Sequence, residues 1–220
     1  MDIRSGISHY GTVRIVDDDD GFRKGLARVL NASGLETISY RCVGEYLIAE
    51  SNDSPGCVLL DIYMPGPSGV ELWDALTARD LSPPTIFLTG CGDVPISVRA
   101  MKAGAIDFIT KPVQVPRLLD AVRYALSLDA ERRAEHMHRR EITQRYETLE
   151  SVERAVFAGV VNGKLNKQLA GELNMCERTI KTYRAQVMSK LRVTSLPELV
   201  RIARLLSRPI QKKSRIGALT

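Results

Sequence analysis

A chain of 220 residues is long for one small domain and comfortable for two, each able to bury its own core. Hydrophobic residues make up 44% and charged residues 26%, which excludes a disordered chain, and no apolar run approaches the ~18 residues of a membrane helix. The net charge of +5 is uneven: residues 1–124 hold 12 Lys/Arg against 16 Asp/Glu and residues 125–220 hold 19 against 10, so only the second part suits a polyanion.

Residues 1–10 lack the apolar core of an export signal, and the protein is expected to stay in the cytoplasm without membrane contact. Residues 13–16 predict a first strand; Phe22, Leu26, Val29 and Leu30 then repeat at helical spacing up to Gly34, a natural stop. Further strands are expected at 36–40, 57–60, 85–88 and 106–109, with helical patterns around 44–51, 69–79 and 95–103 between them. Ser68-Gly-Val-Glu71 has capping-box spacing, and Asp93 precedes Pro95 in the first turn of the next helix. This alternation predicts an α/β domain built on a five-stranded, doubly wound parallel sheet.

From Arg117 to Ala158 there is neither Gly nor Pro, so the fifth helix is expected to run on as a linker. Met137, Ile142 and Leu149 are widely spaced, which predicts a solvated middle. Three shorter helical patterns follow at 167–173, 177–191 and 195–206, the last opening on the capping box Ser195-Leu-Pro-Glu198. Pro209, Lys212, Lys213 and Arg215 lie in a stretch without periodicity. The expected organisation is a first domain over 1–124, a helical linker over 125–147, an all-α domain over 148–208 and a disordered basic tail over 209–220. Cys42, Cys57, Cys91 and Cys176 are too scattered for a disulfide framework or a zinc site and read as reduced thiols.

In an open parallel sheet, ligands bind beyond the carboxyl ends of the strands. There the first expected strand supplies Asp17 and Asp18, the third Asp61 and the fourth Thr89, while the fifth leads to Lys111. Converging carboxylates repel unless a cation sits among them, and hard oxygen donors suit Mg²⁺. Lys111 and Thr89 add a positive charge and a hydroxyl donor, as a phosphoryl group bound at such a site requires. The alternative is that each acid caps a helix or turn, a reading that applies best to Asp19 and Asp20. In the second half, the pattern at 167–173, a turn at 174–176 and the pattern at 177–191 have the lengths of a helix-turn-helix. Ile180, Tyr183, Val187 and Leu191 form one stripe, and the opposite side presents Arg178, Lys181, Thr182, Arg184, Ala185 and Met188, a basic face suited to a major groove. A plain amphipathic helix is the alternative.

These residues carry a family resemblance. Val-Arg-Ile-Val-Asp-Asp-Asp at 13–19, Leu-Leu-Asp-Ile-Tyr-Met-Pro-Gly-Pro-Ser-Gly at 59–69, Leu-Thr-Gly-Cys-Gly-Asp-Val-Pro at 88–95 and Met-Lys-Ala-Gly-Ala-Ile-Asp-Phe-Ile-Thr-Lys-Pro at 101–112 resemble the receiver domains of two-component response regulators, which are flavodoxin-like. Asn-Lys-Gln-Leu-Ala at 166–170, Arg-Thr-Ile-Lys-Thr-Tyr-Arg at 178–184, Val-Met-Ser-Lys-Leu at 187–191 and Ser-Leu-Pro-Glu-Leu-Val at 195–200 resemble the LuxR-type (NarL-like) output domain, and the two together look like the FixJ subgroup.

The first resemblance implies that Asp61 is the nucleophile that takes phosphate from a histidine kinase. It implies that Asp18, Asp61 and the carbonyl of Tyr63 hold Mg²⁺, with Asp17 acting through water. It also implies that Thr89 and Phe108 are the hydroxyl and aromatic switch positions, and that the Lys111–Pro112 bond is cis, aiming Lys111 into the pocket. The second implies that Lys181, Thr182 and Ala185 face bases and that Asn166, Lys167, Arg178, Arg184 and Lys190 face phosphates. The protein so implied is a phosphorylation-dependent transcription regulator, more an activator than a repressor, that dimerises when phosphorylated and meets double-stranded DNA and RNA polymerase. Tyr63, Cys91 and Val113 in the receiver, and Val152, Cys176 and Tyr183 in the output domain, depart from the usual family residues. An aspartate-based phosphatase is the rival enzyme reading; it wants a second carboxylate two residues after the nucleophile, where Tyr63 stands. A constitutive DNA binder is the other rival.

Overall fold

The computed structural model describes residues 11–50, 54–78, 82–90 and 104–207. The chain divides into two compact units between Ala134 and Glu135. In the first, β1 (Thr12–Val16), α1 (Asp20–Ala32), β2 (Thr37–Tyr40), α2 (Val43–Ala49), β3 (Gly56–Asp61), α3 (Gly69–Thr77), β4 (Thr85–Thr89) and β5 (Asp107–Thr110) alternate as the sequence predicts. The strands are all parallel, in the order β2-β1-β3-β4-β5. The helix expected at 95–103, with its cap at Asp93 and Pro95, lies outside the described residues, as do Cys91 and the tail at 209–220.

Alternation along each strand builds a core on both faces of the sheet. Val13, Ile15, Leu59, Ile86 and Leu88 point to one side, where they meet Leu26 and Leu30 of α1. Leu60 and Phe87 point to the other, against Val43 and Tyr46 of α2 and Leu72, Trp73 and Leu76 of α3. Phe87 is completely buried between Trp73 and Phe108, both rings 5.8 Å away, so Phe87→Ala costs about 3–5 kcal/mol.

The helix α4 (Val115–Glu147) begins as part of this core. Leu118, Ala121, Val122, Ala125 and Leu126 follow a helical stripe and pack on the α1 side of the sheet. One turn later the buried carboxylate of Asp129 accepts the Gly56 N–H at 2.8 Å and pairs with Arg133 Nε at 2.7 Å, while Arg133 donates to the Ser54 carbonyl. None of the side chains from 130 to 141 is buried, as a solvated middle requires. Ile142 and Leu149, which the sequence left unpacked, belong instead to the core of the second unit, where Tyr146 stacks edge-on against Phe157 at 5.2 Å. The expected linker, 125–147, thus includes residues packed into each unit.

α4 ends without glycine or proline. Thr148 Oγ1 turns back to the Arg145 carbonyl, and Glu153 reaches back to accept the Glu150 N–H at 2.8 Å, which starts α5 (Ser151–Val161). This helix was not among the sequence patterns. α6 (Asn166–Glu172), α7 (Glu177–Lys190) and α8 (Leu196–Ser207) complete the unit. The α6–α7 turn passes through Asn174 at φ 52°, a left-handed position that asparagine tolerates better than most residues. No described helix is long and apolar enough to cross a membrane.

Candidate functional site

The order of the strands reverses direction between β1 and β3, and the crevice beyond their carboxyl ends is where open α/β sheets bind ligands. Asp17 follows β1 directly and Asp61 is the last residue of β3, so the sheet itself brings them together. Asp17, Asp18 and Asp61 each place a carboxylate oxygen within 4.8 Å of the others, with Asp17 and Asp61 buried and Asp18 exposed. The other two acids of the run do structural work: Asp19 caps α1 by accepting the Phe22 N–H at 3.0 Å, and Asp20 pairs with Arg23 and Lys24. Arg23 also donates to the Asp17 carbonyl at 2.6 Å.

Lys111 enters from the far side of the sheet. Its N–H bonds the Thr89 carbonyl at 2.7 Å, its bond to Pro112 is cis, and its Nζ stands 2.8 Å from both Asp17 Oδ2 and Asp61 Oδ2. Burial works against the ammonium charge, but the hydrogen bonds to Asp17 and Asp61 together outweigh it and hold the Lys111 pKa above the ordinary lysine value. For Asp17, burial prevails over the hydrogen bonds from Lys111 and the Asp19 N–H, and its pKa is raised. Thr89, at the end of β4, is 1% exposed, and its Oγ1 has no hydrogen-bond partner among the described residues. An orphaned buried hydroxyl costs about 1–3 kcal/mol, an expense that suits a group awaiting an acceptor.

Tyr63 donates its N–H to Asp61 Oδ1 at 3.3 Å, and the residue is 54% exposed. Phe108 is half-buried against Phe87. The sequence reading missed two supports of the site. Gly69 leaves no room for a side chain, since a Cβ there would lie 2.0 Å from the Asp61 carbonyl oxygen. Phe22, read only as part of a helix stripe, places its ring 4.3 Å from Lys111 Nζ. Glycine spacing could have hinted at the first; nothing local marks the second, because 89 residues separate the partners.

In the second unit Ile180, Val187 and Leu191 are buried and Tyr183 packs beside them. Arg178, Lys181, Thr182 and Ala185 are exposed on α7, Lys167 is exposed on α6, and Arg184 reaches Asn166 Oδ1 at 3.4 Å. Lys190 is placed differently from the rest: its Nζ holds the buried Glu153 carboxylate at 2.6 Å.

A five-stranded parallel sheet that ends in an acid pair, a lysine and a hydroxyl, followed by a helix-turn-helix, defines the class of two-component response regulators. Residues 13–123 match the response regulator receiver domain and residues 147–203 the bacterial regulatory proteins of the luxR family, so the chain belongs to the response regulators with a LuxR-type DNA-binding domain. Among its relatives, the transcriptional regulatory protein FixJ of Azorhizobium caulinodans is 42% identical over 191 residues, covering 87% of this chain and 90% of that one. The structure of the response regulator StyR is 41% identical with a TM-score of 0.80, covering 88% of this chain and 98% of that one. Full-length FixJ from B. japonicum is 37% identical with a TM-score of 0.54, covering 89% and 96%. This family regulates transcription and is not a class of enzymes; its receiver domains bind Mg²⁺ at an acidic pocket, and a histidine kinase and DNA are the partners its architecture implies.

Proposed function

We propose that Asp61 takes a phosphoryl group from the phosphohistidine of a histidine kinase and that this event controls DNA binding by the second unit. The observation that carries the reading is one lysine held 2.8 Å from two buried carboxylates, beside a buried threonine hydroxyl with no described partner. The Asp61 carboxylate attacks phosphorus in line, and the phosphorus–nitrogen bond breaks with its electron pair left on the imidazole. Lys111 balances charge on the phosphoryl oxygens and Thr89 donates to one of them, with Phe108 following it inward. Three carboxylates against one ammonium leave a donor set of hard oxygens that fits Mg²⁺, held by Asp18, Asp61 and the Tyr63 carbonyl with Asp17 acting through water. When bound, the ion supplies charge neutralisation at the acceptor oxygens. No external substrate is turned over; the chemistry is gain and loss of phosphate at Asp61.

On DNA, Lys181, Thr182 and Ala185 face base edges, and Asn166, Lys167, Arg178 and Arg184 contact phosphates. Lys190 shares its ammonium between Glu153 and any phosphate it reaches. The phosphorylated protein acts as a dimer in the cytoplasm, recruits RNA polymerase and activates transcription. Acetyl phosphate with Mg²⁺ should label the wild type and leave Asp61→Asn unlabelled. Gel shift on operator fragments selected from genomic DNA should then favour the labelled protein, and Lys181→Ala should weaken it by ~1–3 kcal/mol. Labelling of Asp61→Asn at the wild-type rate overturns the assignment of the acceptor.

A further inference from the structure

An ammonium has three N–H directions, and two of those on Lys111 are taken by Asp17 and Asp61 at 2.8 Å each. The face of the Phe22 ring, 4.3 Å from Nζ, stands on a further side. Phe22 comes from the first turn of α1, whose start is fixed by the Asp19 cap on the Phe22 N–H itself, so the ring is anchored to the same β1–α1 junction that carries Asp17. It is half-buried and packs on the α1-side core, which fixes it from behind. Lys111 keeps 22% of its side chain exposed and itself lines an apolar groove of about 540 Å³ together with Phe22, Leu26, Val29, Pro112 and Val115. A lysine stem packs readily along such an apolar wall, which leaves the direction of the ammonium to be set by the groups that touch Nζ itself.

We infer that Phe22 is a positioning residue for phosphoryl transfer to Asp61: its ring face holds the Lys111 ammonium over the acidic pocket. The inference rests on the reading of Asp61 as the phosphoacceptor. A cation over an aromatic face is attracted by the ring quadrupole, most strongly where water is excluded, and no rearrangement is then needed when charge develops on the phosphoryl oxygens. Packing alone would ask only for apolar volume at position 22, which leucine supplies. The ring face is what leucine lacks.

The test uses the full chain with acetyl phosphate and saturating Mg²⁺, and follows the rate at which Asp61 is labelled in wild type, Phe22→Leu and Phe22→Tyr, with Asp61→Asn as the control. Phe22→Leu should be slower by roughly 3- to 10-fold, and Phe22→Tyr should stay within about twofold of wild type. NMR gives a second readout: the ε-methylene protons of Lys111, assigned by their loss in Lys111→Arg, should be shifted upfield by the ring in wild type and Phe22→Tyr and return to ordinary values in Phe22→Leu. Equal rates for all three proteins, or equal slowing in both variants, overturns the positioning role. So does an unshifted ε-methylene in the wild type, a result that stands even if Phe22→Leu fails to fold. A wild type that takes no label at Asp61 instead sinks the phosphoacceptor reading, while leaving the ring contact measurable by its shift.

Discussion

Tyr63 illustrates how much one side chain at the mouth of a pocket can decide. Its N–H is committed to Asp61 Oδ1, and the residue, two positions after the proposed acceptor, is more than half exposed. Hydrolysis of an acyl phosphate needs water in line with the bond that breaks, and a bulky ring restricts that approach where a small amide admits it. The phosphorylated wild type is therefore expected to lose its label more slowly than Tyr63→Asn at saturating Mg²⁺, with little change in metal affinity; equal or faster decay in the wild type removes the shielding idea. Glu153 shows the complementary case of a charge kept for structure. Its hydrogen bond from Lys190, then that from the Glu150 N–H, hold its pKa below the ordinary 4.5. A lowered carboxylate pKa stabilises the fold above the unfolded value, and this contribution is lost as pH falls through the folded one. Lys190→Met should cost ~1–3 kcal/mol near neutral pH, because a buried carboxylate loses its partner. In urea unfolding the gap from wild type should shrink as pH falls from about 4.5 downward; a gap independent of pH would place the loss in packing.

At the scale of elements, α4 is continuous in hydrogen bonding yet divided in allegiance. Its first four turns follow an apolar stripe onto the sheet, and Asp129 then fastens the helix to the start of β3 through the Gly56 N–H. The junction leaves no slack at Gly56: with φ at 134°, a Cβ there would lie 1.9 Å from the Thr12 carbonyl oxygen. Asp129→Ala leaves a buried N–H without an acceptor and Arg133 without its carboxylate, so it should destabilise the first unit by ~1–3 kcal/mol. Hydrogen exchange should show the Gly56 amide and the α4 turn around residue 129 losing protection together. Exchange that changes at only one of the two would separate the helix from the strand.

For the molecule as a whole, the proposed phosphoacceptor and the proposed DNA-facing surface lie in different units, so on that reading a signal at Asp61 passes through a change in assembly or in contact. Thr89 ends β4, and Phe108 lies within the adjacent β5 level with Phe87, whose ring it contacts, so both residues of the proposed switch stand on the β4–β5 side of the sheet. Sedimentation of the protein phosphorylated by acetyl phosphate should show dimers at a concentration where Asp61→Asn remains monomeric. Identical behaviour of the two would mean that phosphate acts on the DNA-binding unit without dimerisation.

The sequence alone determined the alternation of strands and helices, the placing of Asp17, Asp18, Asp61, Thr89 and Lys111 beyond the carboxyl ends of the strands as candidates for the site, and the split between an acidic and a basic half. These were legible because strand ends, helix stripes and cap spacings are local patterns, and because the candidate residues sit at the ends of elements that such patterns delimit. The start of α5 escaped because its signal is a carboxylate reaching back three residues rather than a glycine or proline. Only the tertiary structure decided that Lys190 serves Glu153, that Asp129 and Ile142 of one helix belong to different units, and that Phe22 stands beside Lys111. Each of these joins residues from separate elements, where the partner is chosen by how helices pack on the sheet or on one another, and spacing along the chain carries no record of that choice.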